Sequence, residues 1–350
     1  MKAPYFKCYS AKSMLLFFLL LLNISLSNGQ QVKNILIDTD KLEKKPLLLS
    51  EITENVTSIT LESPIDGGVV DVFLTNQYLF VTTMSSVYQF KPSGKFVSKF
   101  NCGGTVYHST CDTTKQEMYI LMGSKIKSFD FSGKLKKEYP IKNVGINCFF
   151  HEGKLWIQSA TEFVSLKTTP VIDYKLSYLN LKTGVETFLP LKVQEKIKKD
   201  AATVSIYAET FSVDNQANNR LVCSFTVDGV LCQIQGQKVS PIVRWNIRPV
   251  QDSKINTYYK GILKDYLFVN FRFKDNSLLY VQNMKTQKQY LTEFLRDDIF
   301  DSGEFKINPL NQGGYFYFFK KENNLKGKYS KNDKSKNRDV IIIANVKENK

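Results

Sequence analysis

The sequence predicts an all-β fold, a six-bladed β-propeller, from a repeated segment and a regular succession of short strands. Gln89–Phe100 (QFKPSGKFVSKF) and Ser128–Tyr139 (SFDFSGKLKKEY) each contain a strand that ends in an aromatic residue, a Ser-Gly-Lys turn and an outgoing strand. The two turns are centred on Gly94 and Gly133. A strand-rich sequence that repeats with a period of about 40 residues is typical of propeller blades.

Residues 1–29 have the pattern of a signal peptide. Three lysines precede the apolar run Met14–Leu22, and the small residues Ser27 and Gly29 predict cleavage before Gln30. The run is shorter than the roughly 20 apolar residues of a membrane-spanning helix, although an uncleaved anchor is the alternative. No cysteine stands at the end of the run. We therefore expect an exported protein, periplasmic or extracellular, that is not a lipoprotein and has no transmembrane span after cleavage.

The strands group into units along the chain. Short runs rich in β-branched and aromatic residues alternate with turn residues. Units of about 40–50 residues predict four-stranded antiparallel blades, here within a single domain over residues 30–350. Gln194–Ala202 is the best candidate for a short helix. The six predicted units are Val69–Gly104, Thr105–Ile141, Asn143–Leu191, Tyr207–Ile247, Thr257–Phe294 and Phe305–Val346.

Pairing of the two chain ends is expected to close the ring. A propeller usually closes when a strand from one terminus completes a blade built by the other, which removes free sheet edges. Ser58–Leu61 is a short alternating strand near the start, and Asp339–Val346 is the last strong strand. We expect Ile35–Leu61 to complete the ring beside the last blade.

The chain is strongly basic. Its formal net charge is +15, and +12 remains when the signal segment is removed. Lysines are spread over the whole length without a recognition motif, so a solvated surface is favoured over attraction to acidic glycans or membranes, and no nucleic-acid partner is expected. Lys320–Asp339 holds eight basic residues against three acids. This segment is predicted to be a mobile insertion loop, with an electrostatic arm as the alternative.

Five cysteines follow the signal segment, and export permits disulfides. Cys223 and Cys232 are candidate partners: a four-residue loop between their strands would set them directly opposite, whereas a two-residue turn would set them diagonally, where a bridge is harder to form. Cys102 and Cys111 are a second candidate pair across a short loop. Because the count is odd, at least one thiol stays free, and Cys148 is expected to be a buried thiol.

Pro46–Ser63 (PLLLSEITENVTSITLES) resembles the opening of the six-bladed β-propeller proteins exported by Bacteroidetes-type bacteria. In that family an LSEI segment leads into a strand that ends in Leu-Glu, as Leu49–Ile52 and Leu61-Glu62 do here. A strand ending in an aromatic residue and a Gly-Lys turn follows, here Tyr88–Lys95. The match covers about the first third of the chain, and the remainder matches by blade period only.

Two features depart from that family pattern. A Gly-rich segment after the first blade is reduced here to Gly103-Gly104, and the lipoprotein cysteine of many members is absent. The resemblance implies an exported six-bladed fold similar to NHL and TolB-like propellers. It implies no catalytic residues, because the family is largely uncharacterised, and fold alone does not give function.

Catalytic and metal-binding patterns are sparse. The two histidines, His108 and His151, are too few for a three-histidine metal centre, and both are interpreted as surface loop residues. Nucleophile, zinc-protease and phosphate-loop motifs are absent. The carboxylates Asp297, Asp298 and Asp301 suit acid–base work in a cleft, but a polar loop between blades is favoured. We expect no metal, no cofactor and no catalytic residue.

The sequence therefore favours a binding protein over an enzyme. Its 25 Phe and 18 Tyr suit packing between blades better than stacking on sugars or peptides. Tyr258, Tyr259 and Lys260 are the candidate binding residues at a channel mouth. We expect a monomeric, exported, non-enzymatic propeller that binds an unidentified protein or glycan. A glycan-active hydrolase or lyase with carboxylates or tyrosines at the central channel is the alternative, and a structural part of an envelope complex is a third.

Overall fold

The computed structural model of this chain describes residues 32–161, 171–190, 193–196, 211–214, 220–225, 229–248, 260–273, 276–311, 313–325 and 337–348. The predicted signal segment, residues 1–29, and residues 326–336 lie outside the described residues. Within them the chain is all-β apart from two helical turns, α1 (Leu49–Ile52) and a 3-10 turn at Glu322–Asn324. Neither described turn has the length or apolar composition of a membrane-spanning helix.

The first elements form a belt, residues 33–60, that lies along the edges of sheets built by later parts of the chain. Its elements are β1 (Lys33–Asp38), β2 (Leu47–Leu48), α1 and β3 (Thr53–Thr60).

The other strands build seven separate sheets, numbered here as blades 1 to 7 in chain order. Blade 1 comprises β4 (Val69–Leu74), β5 (Leu79–Thr83), β6 (Ser86–Phe90) and β7 (Phe96–Asn101). Blade 2 comprises β8 (His108–Asp112), β9 (Glu117–Met122), β10 (Lys125–Asp130) and β11 (Leu135–Pro140). Blade 3 comprises β12 (Val144–His151), β13 (Lys154–Ala160), β14 (Val171–Leu179), β15 (Glu186–Phe188) and β16 (Val193–Lys196).

The second half of the chain supplies four blades, three of which include a strand from the belt. Blade 4 comprises β17 (Phe211–Asp214), β18 (Arg220–Phe225), β19 (Val230–Gln235) and β20 (Lys238–Arg248), with β1 added. Blade 5 comprises β21 (Lys260–Leu263), β22 (Tyr266–Phe273), β23 (Asn276–Asn283) and β24 (Gln289–Thr292). Blade 6 comprises β2, β25 (Leu295–Asp297) and β26 (Gly303–Phe305). Blade 7 comprises β27 (Asn308–Pro309), β28 (Tyr315–Lys321), β29 (Asp339–Val346) and β3.

The fold is thus a propeller of small, mainly antiparallel blades, but the predicted count of six is wrong. The six predicted units correspond to blades 1 to 5 and blade 7, and blade 6 is the addition. Its strands contain only two or three residues each, and one of them comes from the distant belt. Strands this short show no alternation of apolar and polar residues, so the sequence carries no signal for them. The predicted helix at Gln194–Ala202 is also wrong where the structure describes it, because β16 includes Gln194–Lys196.

The belt joins four blades in succession. β1 pairs in parallel with β20 of blade 4, and Lys44 forms a single bridge to Leu291 of blade 5. β2 then pairs in parallel with β25 of blade 6, and β3 pairs antiparallel with β29 of blade 7. An uncovered sheet edge is a template for pairing with another chain. The belt occupies such edges with residues of the same chain.

The N-terminal and C-terminal segments pair with each other as predicted, but this pairing does not join the two ends of the ring. β3 and β29 lie within blade 7, and the seven described blades remain separate sheets. The ring closes by packing, because apolar clusters fill each successive boundary from blades 1 and 2 to blades 7 and 1. At the last boundary Tyr317 and Ile341 of blade 7 pack with Val72 and Leu79 of blade 1.

One side chain adds a polar link at that last boundary. The amide of Asn311, between β27 and β28, accepts from the Leu74 N–H at 2.9 Å and donates to the Leu74 carbonyl at 3.1 Å. The side chain thereby imitates one step of a strand ladder and ties blade 7 to the end of β4.

The glycine of the repeated Ser-Gly-Lys turn has the same role in both copies. A Cβ on Gly94 (φ +86°) would lie 2.0 Å from the Thr60 carbonyl oxygen of β3, and a Cβ on Gly133 (φ +87°) would lie 2.6 Å from the Phe100 ring of β7. Both β3 and β7 are edge strands of the preceding blade in the ring. The repeat therefore lets the turn of one blade lie directly on the outer strand of the blade before it.

The Leu61-Glu62 dipeptide directly after β3 contributes to the same contact. Glu62 N–H donates to the Gly94 carbonyl at 2.9 Å, and the Glu62 carboxylate accepts from the Phe96 N–H at 2.9 Å. Two of the motifs that carry the resemblance, Leu61-Glu62 and the Gly-Lys turn, therefore meet in space.

Both ends of the basic Lys320–Asp339 segment are held in place. Lys320 and Lys321 belong to β28, and Arg338 donates two hydrogen bonds to the Glu322 carboxylate at 2.9 and 2.8 Å. The predicted mobile loop between these ends falls on residues 326–336, outside the described residues, and stays a prediction.

Candidate functional site

A cavity of about 770 Å³ opens where the turns that follow β4, β8, β12 and β27 meet. We call it the turn cavity. Its volume lies within the roughly 300–1,000 Å³ typical of small-molecule sites. The strands β4, β8 and β12 contact one another in succession, so the turns at their ends are brought to one mouth. The lining residues are Leu74, Thr75, Asn76, Gln77, Thr110, Cys111, Asp112, Thr113, Thr114, Lys115, Gln116, Phe131, Phe149, Phe150, His151, Glu152, Gly153 and Asn311.

Side-chain hydrogen bonds fix the shape of the turns. Thr75 Oγ1 accepts from the Tyr78 N–H at 2.9 Å, and Asp112 Oδ1 accepts from the Thr114 N–H at 3.0 Å. Such bonds give a short polar loop a defined conformation. Gln116 (φ +53°) and Glu152 (φ +49°) occupy the left-handed region, which non-glycine residues adopt at a cost of about 1–2 kcal/mol. Their side chains are thereby aimed from fixed positions on the cavity rim.

The charged groups of the turn cavity are arranged in pairs. Lys115 Nζ lies 3.5 Å from Asp112 Oδ2, and His151 Nε2 lies 3.8 Å from Glu152 Oε1. The other polar side chains in the lining are neutral hydroxyls and amides. These are Thr75, Asn76, Gln77, Thr110, Thr113, Thr114, Gln116 and Asn311.

Aromatic rings form the apolar part of the lining, and neighbouring rings hold them. Phe150 stacks on Tyr119 with ring centroids 5.8 Å apart, and Phe131 lies 4.7 Å from Phe80. Aromatic pairs at these distances add stability beyond their buried area. The cavity therefore offers a rigid apolar surface beneath a rim of polar groups, most of which are neutral.

A second polar cluster lies on the strands next to the propeller axis. His108 Nε2 lies 3.3 Å from Asp71 Oδ1, and Ser109 donates to Asp71 Oδ2 from its N–H at 2.7 Å and from its hydroxyl at 2.9 Å. The side chains of His108 and Asp71 are 23 % and 15 % exposed. Both carboxylate oxygens are engaged, so this cluster links β4 of blade 1 to β8 of blade 2.

Burial raises the pKa of Asp71, and His108 and Ser109 act in the opposite direction. Burial also raises the pKa of Cys148 and of Tyr317, and the negative charge of Asp71 raises both further. Asp71 therefore lies where blades 1, 2, 3 and 7 approach one another.

The raised pKa of Asp71 predicts a specific pH dependence of stability. A carboxyl with a raised folded-state pKa contributes stability below its ordinary value of 3.8 and loses it as pH rises through the folded-state value. The free energy of unfolding of wild type, relative to Asp71→Asn, should therefore fall as pH rises above 3.8. Urea unfolding of both proteins across the acid range measures this.

Asp130→Asn is the control of opposite sign for this experiment. The Ser132 hydroxyl lowers the pKa of Asp130, so wild type should lose stability relative to Asp130→Asn as pH falls below 3.8. Parallel pH profiles for wild type and Asp71→Asn would contradict the assignment.

The two histidines lie on strands and not in the loops predicted for them. His108 is the first residue of β8 and His151 the last of β12, so the interpretation of both as surface loop residues is wrong. The polar residues near them indicated loops, but polar side chains also occur on strands that face the propeller axis. The sequence could have shown the turn cavity only through the runs of Thr, Asn and Gln that follow the first strands of successive blades.

The predicted carboxylate group builds a loop. Asp297 is fully buried in β25, and its Oδ1 accepts from the N–H groups of Ile299 and Phe300 at 3.1 and 3.0 Å. Asp298 accepts from the Ser50 N–H at 3.0 Å and so anchors the belt. Among the described residues, no group of three or more His, Cys, Asp or Glu side chains is placed to hold a metal ion.

The candidate binding residues at the channel mouth remain predictions. Tyr258 and Tyr259 lie outside the described residues. Lys260 begins β21, where its backbone pairs with Val269 of β22. The structure does not bring Lys260 into the turn cavity.

The five cysteines among the described residues are buried. Cys223 and Cys232 are directly opposite in the register of β18 and β19, the arrangement predicted for a four-residue loop. Cys102, Cys111 and Cys148 form no bridge in this structure, and a disulfide between Cys102 and Cys111 stays a prediction. Burial raises the pKa of Cys102 to about 11 and that of Cys111 to about 12. Thiols with such pKa values carry little thiolate at neutral pH and are poor nucleophiles.

This chain shares its fold with known proteins of very different sequence. No family model matches it, and no curated protein matches its sequence. A protein assigned as exported, from Bacteroides fragilis NCTC 9343, has a TM-score of 0.59 at 12% identity over 91% of this chain and 100% of that one. A luciferin-regenerating enzyme has a TM-score of 0.50 at 12% identity, over 84% and 98%. BamB from Moraxella catarrhalis has a TM-score of 0.40 at 11% identity, over 77% and 75%. The likeness to the first two of these proteins shows a β-propeller fold and, at 12% identity, assigns neither ligand nor activity.

Proposed function

We propose that this chain is an exported, non-enzymatic, monomeric β-propeller of one domain that binds a ligand or partner in the turn cavity. The observation that supports it is the convergence of exposed side chains from the turns of several blades on one cavity of about 770 Å³. The signal pattern of residues 1–29, and a structural neighbour that is itself assigned as exported, support the location.

Rigidity also favours binding. Asn76, Gln77 and Gln116 are exposed on turns whose backbones are fixed by neighbouring side chains. A preordered site loses less conformational entropy when a ligand binds, so more of the contact energy appears as affinity.

The alternative, a glycan-active hydrolase or lyase, needs an acid and a base that are available to the substrate. Asp112 and Glu152 are the carboxylates of the turn cavity, and each has a cationic or histidine neighbour, at 3.5 and 3.8 Å. Asp71 is engaged by Ser109 and His108. These contacts suit a binding site better than an acid–base pair.

Variants of the cavity rim test the proposal. The double variant Gln77→Ala/Gln116→Ala should weaken ligand binding about tenfold or more, since each lost hydrogen bond costs about 0.5–1.5 kcal/mol. Gln289→Ala, an exposed glutamine on β24, is the matched control and should bind like wild type. Thermal-shift measurements against neutral oligosaccharides, acidic oligosaccharides and octapeptides, followed by calorimetry, provide the readout. Equal affinities of the double variant and wild type for every bound probe would exclude the turn cavity, and turnover of a bound probe would exclude a non-enzymatic role.

A further inference from the structure

We infer that the turn cavity takes an uncharged, hydroxyl-rich ligand, a neutral oligosaccharide. This inference rests on the proposed function and names the ligand class of the same site. It follows from three properties of the lining: its charges, its hydrogen-bonding groups and its aromatic surface.

The charges of the lining do not select an ion. Lys115 and Asp112 face each other at 3.5 Å, and the Asp112 side chain is only 2 % exposed. His151 has Glu152 beside it. A charged ligand would have to compete with these partners, and stripping water from a charged group without a new partner is costly. Lys115 and Glu152 are 54 % and 68 % exposed and opposite in charge, so the lining as a whole favours a neutral ligand over an ion of one sign.

The neutral side chains match hydroxyl groups. The amides of Asn76, Gln77 and Gln116 each carry two N–H donors and a carbonyl acceptor, and all three residues are exposed at the rim. A sugar hydroxyl both donates and accepts, so adjacent hydroxyls on a ring satisfy both ends of one amide. Thr113 adds a further exposed hydroxyl between these amides.

The aromatic lining suits the apolar face of a sugar ring. Phe149 and Phe150 are half-buried and line the cavity. Phe150 is held from behind by Tyr119 in a stacked arrangement, with an interplanar angle of 17°. A pyranose has polar groups at its edge and C–H groups on its faces. It can therefore lie on a phenyl ring while its edge reaches the rim amides.

An extended peptide fits this cavity less well. Peptides that add to a propeller blade use free backbone groups along a sheet edge. The turn cavity is lined by turns, and backbone N–H groups there are already bonded, as at Tyr78, Thr114 and Lys115. Recognition must therefore use the side chains, whose neutral donors and acceptors are suited to hydroxyls.

An array of neutral and acidic glycans, with octapeptides as a third class, tests the inference on the whole mature protein. We expect binding to neutral oligosaccharides only, with the same affinity at low and high salt because no ion pair forms. Gln77→Ala/Gln116→Ala should lose about tenfold or more in affinity, while Gln289→Ala keeps the wild-type value. Gln77→Glu, which keeps the shape and replaces the amide donors with charge, should also weaken binding.

The outcomes separate this inference from the proposed function. Binding of an acidic glycan or a peptide that the Gln77/Gln116 double variant abolishes would overturn the neutral-sugar assignment and leave the binding site intact. Binding that none of the rim variants changes, or no binding by any probe, would overturn both.

Discussion

Gly94→Ala should be among the most destabilising single substitutions in this chain, with a loss of roughly 3 kcal/mol or more in the free energy of unfolding. Two effects combine. Alanine at φ +86° is strained by about 1–2 kcal/mol. Its Cβ would also lie 2.0 Å from the Thr60 carbonyl oxygen, and that oxygen belongs to backbone that cannot rotate away. Blade 1 would have to move off the outer strand of blade 7.

Gly67→Ala is the matched control, because it introduces the same backbone strain without a steric clash. The difference between the two variants therefore measures the clash with β3. Gly67 has nearly the same backbone angle, φ +88°, but a Cβ there would meet nothing within 4 Å. Its variant should lose only the strain, about 1–2 kcal/mol. Urea unfolding followed by tryptophan fluorescence measures both variants. Equal losses for the two glycines would show that the contact with β3 contributes nothing.

Leu49→Ala should cost about 3–5 kcal/mol, because it removes a fully buried leucine from the belt. Leu49 is 0 % exposed and packs in the cluster shared by the belt and blades 5, 6 and 7. The surrounding rings and strands come from four parts of the chain, so they can collapse only partly into the space left behind. The result should be a lower free energy of unfolding with loosening of the blade 7 edge.

The matched control is another leucine of the belt. Leu36 of β1 is 45 % exposed, so Leu36→Ala should cost less than about 1 kcal/mol. Hydrogen exchange adds a local readout: amides of β3 and β29 should exchange faster in Leu49→Ala and keep their wild-type rates in Leu36→Ala. A Leu49→Ala protein as stable as Leu36→Ala would mean that the belt is not held by this cluster.

Much of the fold was predictable because the blades repeat. The Ser-Gly-Lys turns at Gly94 and Gly133 set the period, and six of the seven described blades correspond to predicted units, although β16 and the belt strands β1 and β3 lie outside those units. The seventh was missed for a physical reason. Blade 6 is stabilised by Leu295 and Phe305 in a cluster made with other blades and the belt, so its strands need no pattern of their own.

The site was less predictable than the fold. The prediction of Tyr258, Tyr259 and Lys260 rests on an aromatic pair beside polar residues, whereas the turn cavity is lined largely by Thr, Asn and Gln of ordinary turns. A turn sequence reveals its own conformation but not which other turns lie beside it. The pairing of Asp71 with His108 was hidden for the same reason, since they are on neighbouring blades.

The belt has a consequence for how the protein reaches its native state. Lys33 is paired with Val243, and Thr60 with Val340. In a chain made from its N-terminus, the first strands therefore wait for partners in the second half of the sequence, and folding through contacts so distant along the chain is slow. During that interval β1 to β3 are exposed while blades 1 to 3 can already pack from neighbouring segments. The belt is thus expected to dock after blades 1 to 3 have formed, and blades 4 and 7 have open edges until it docks.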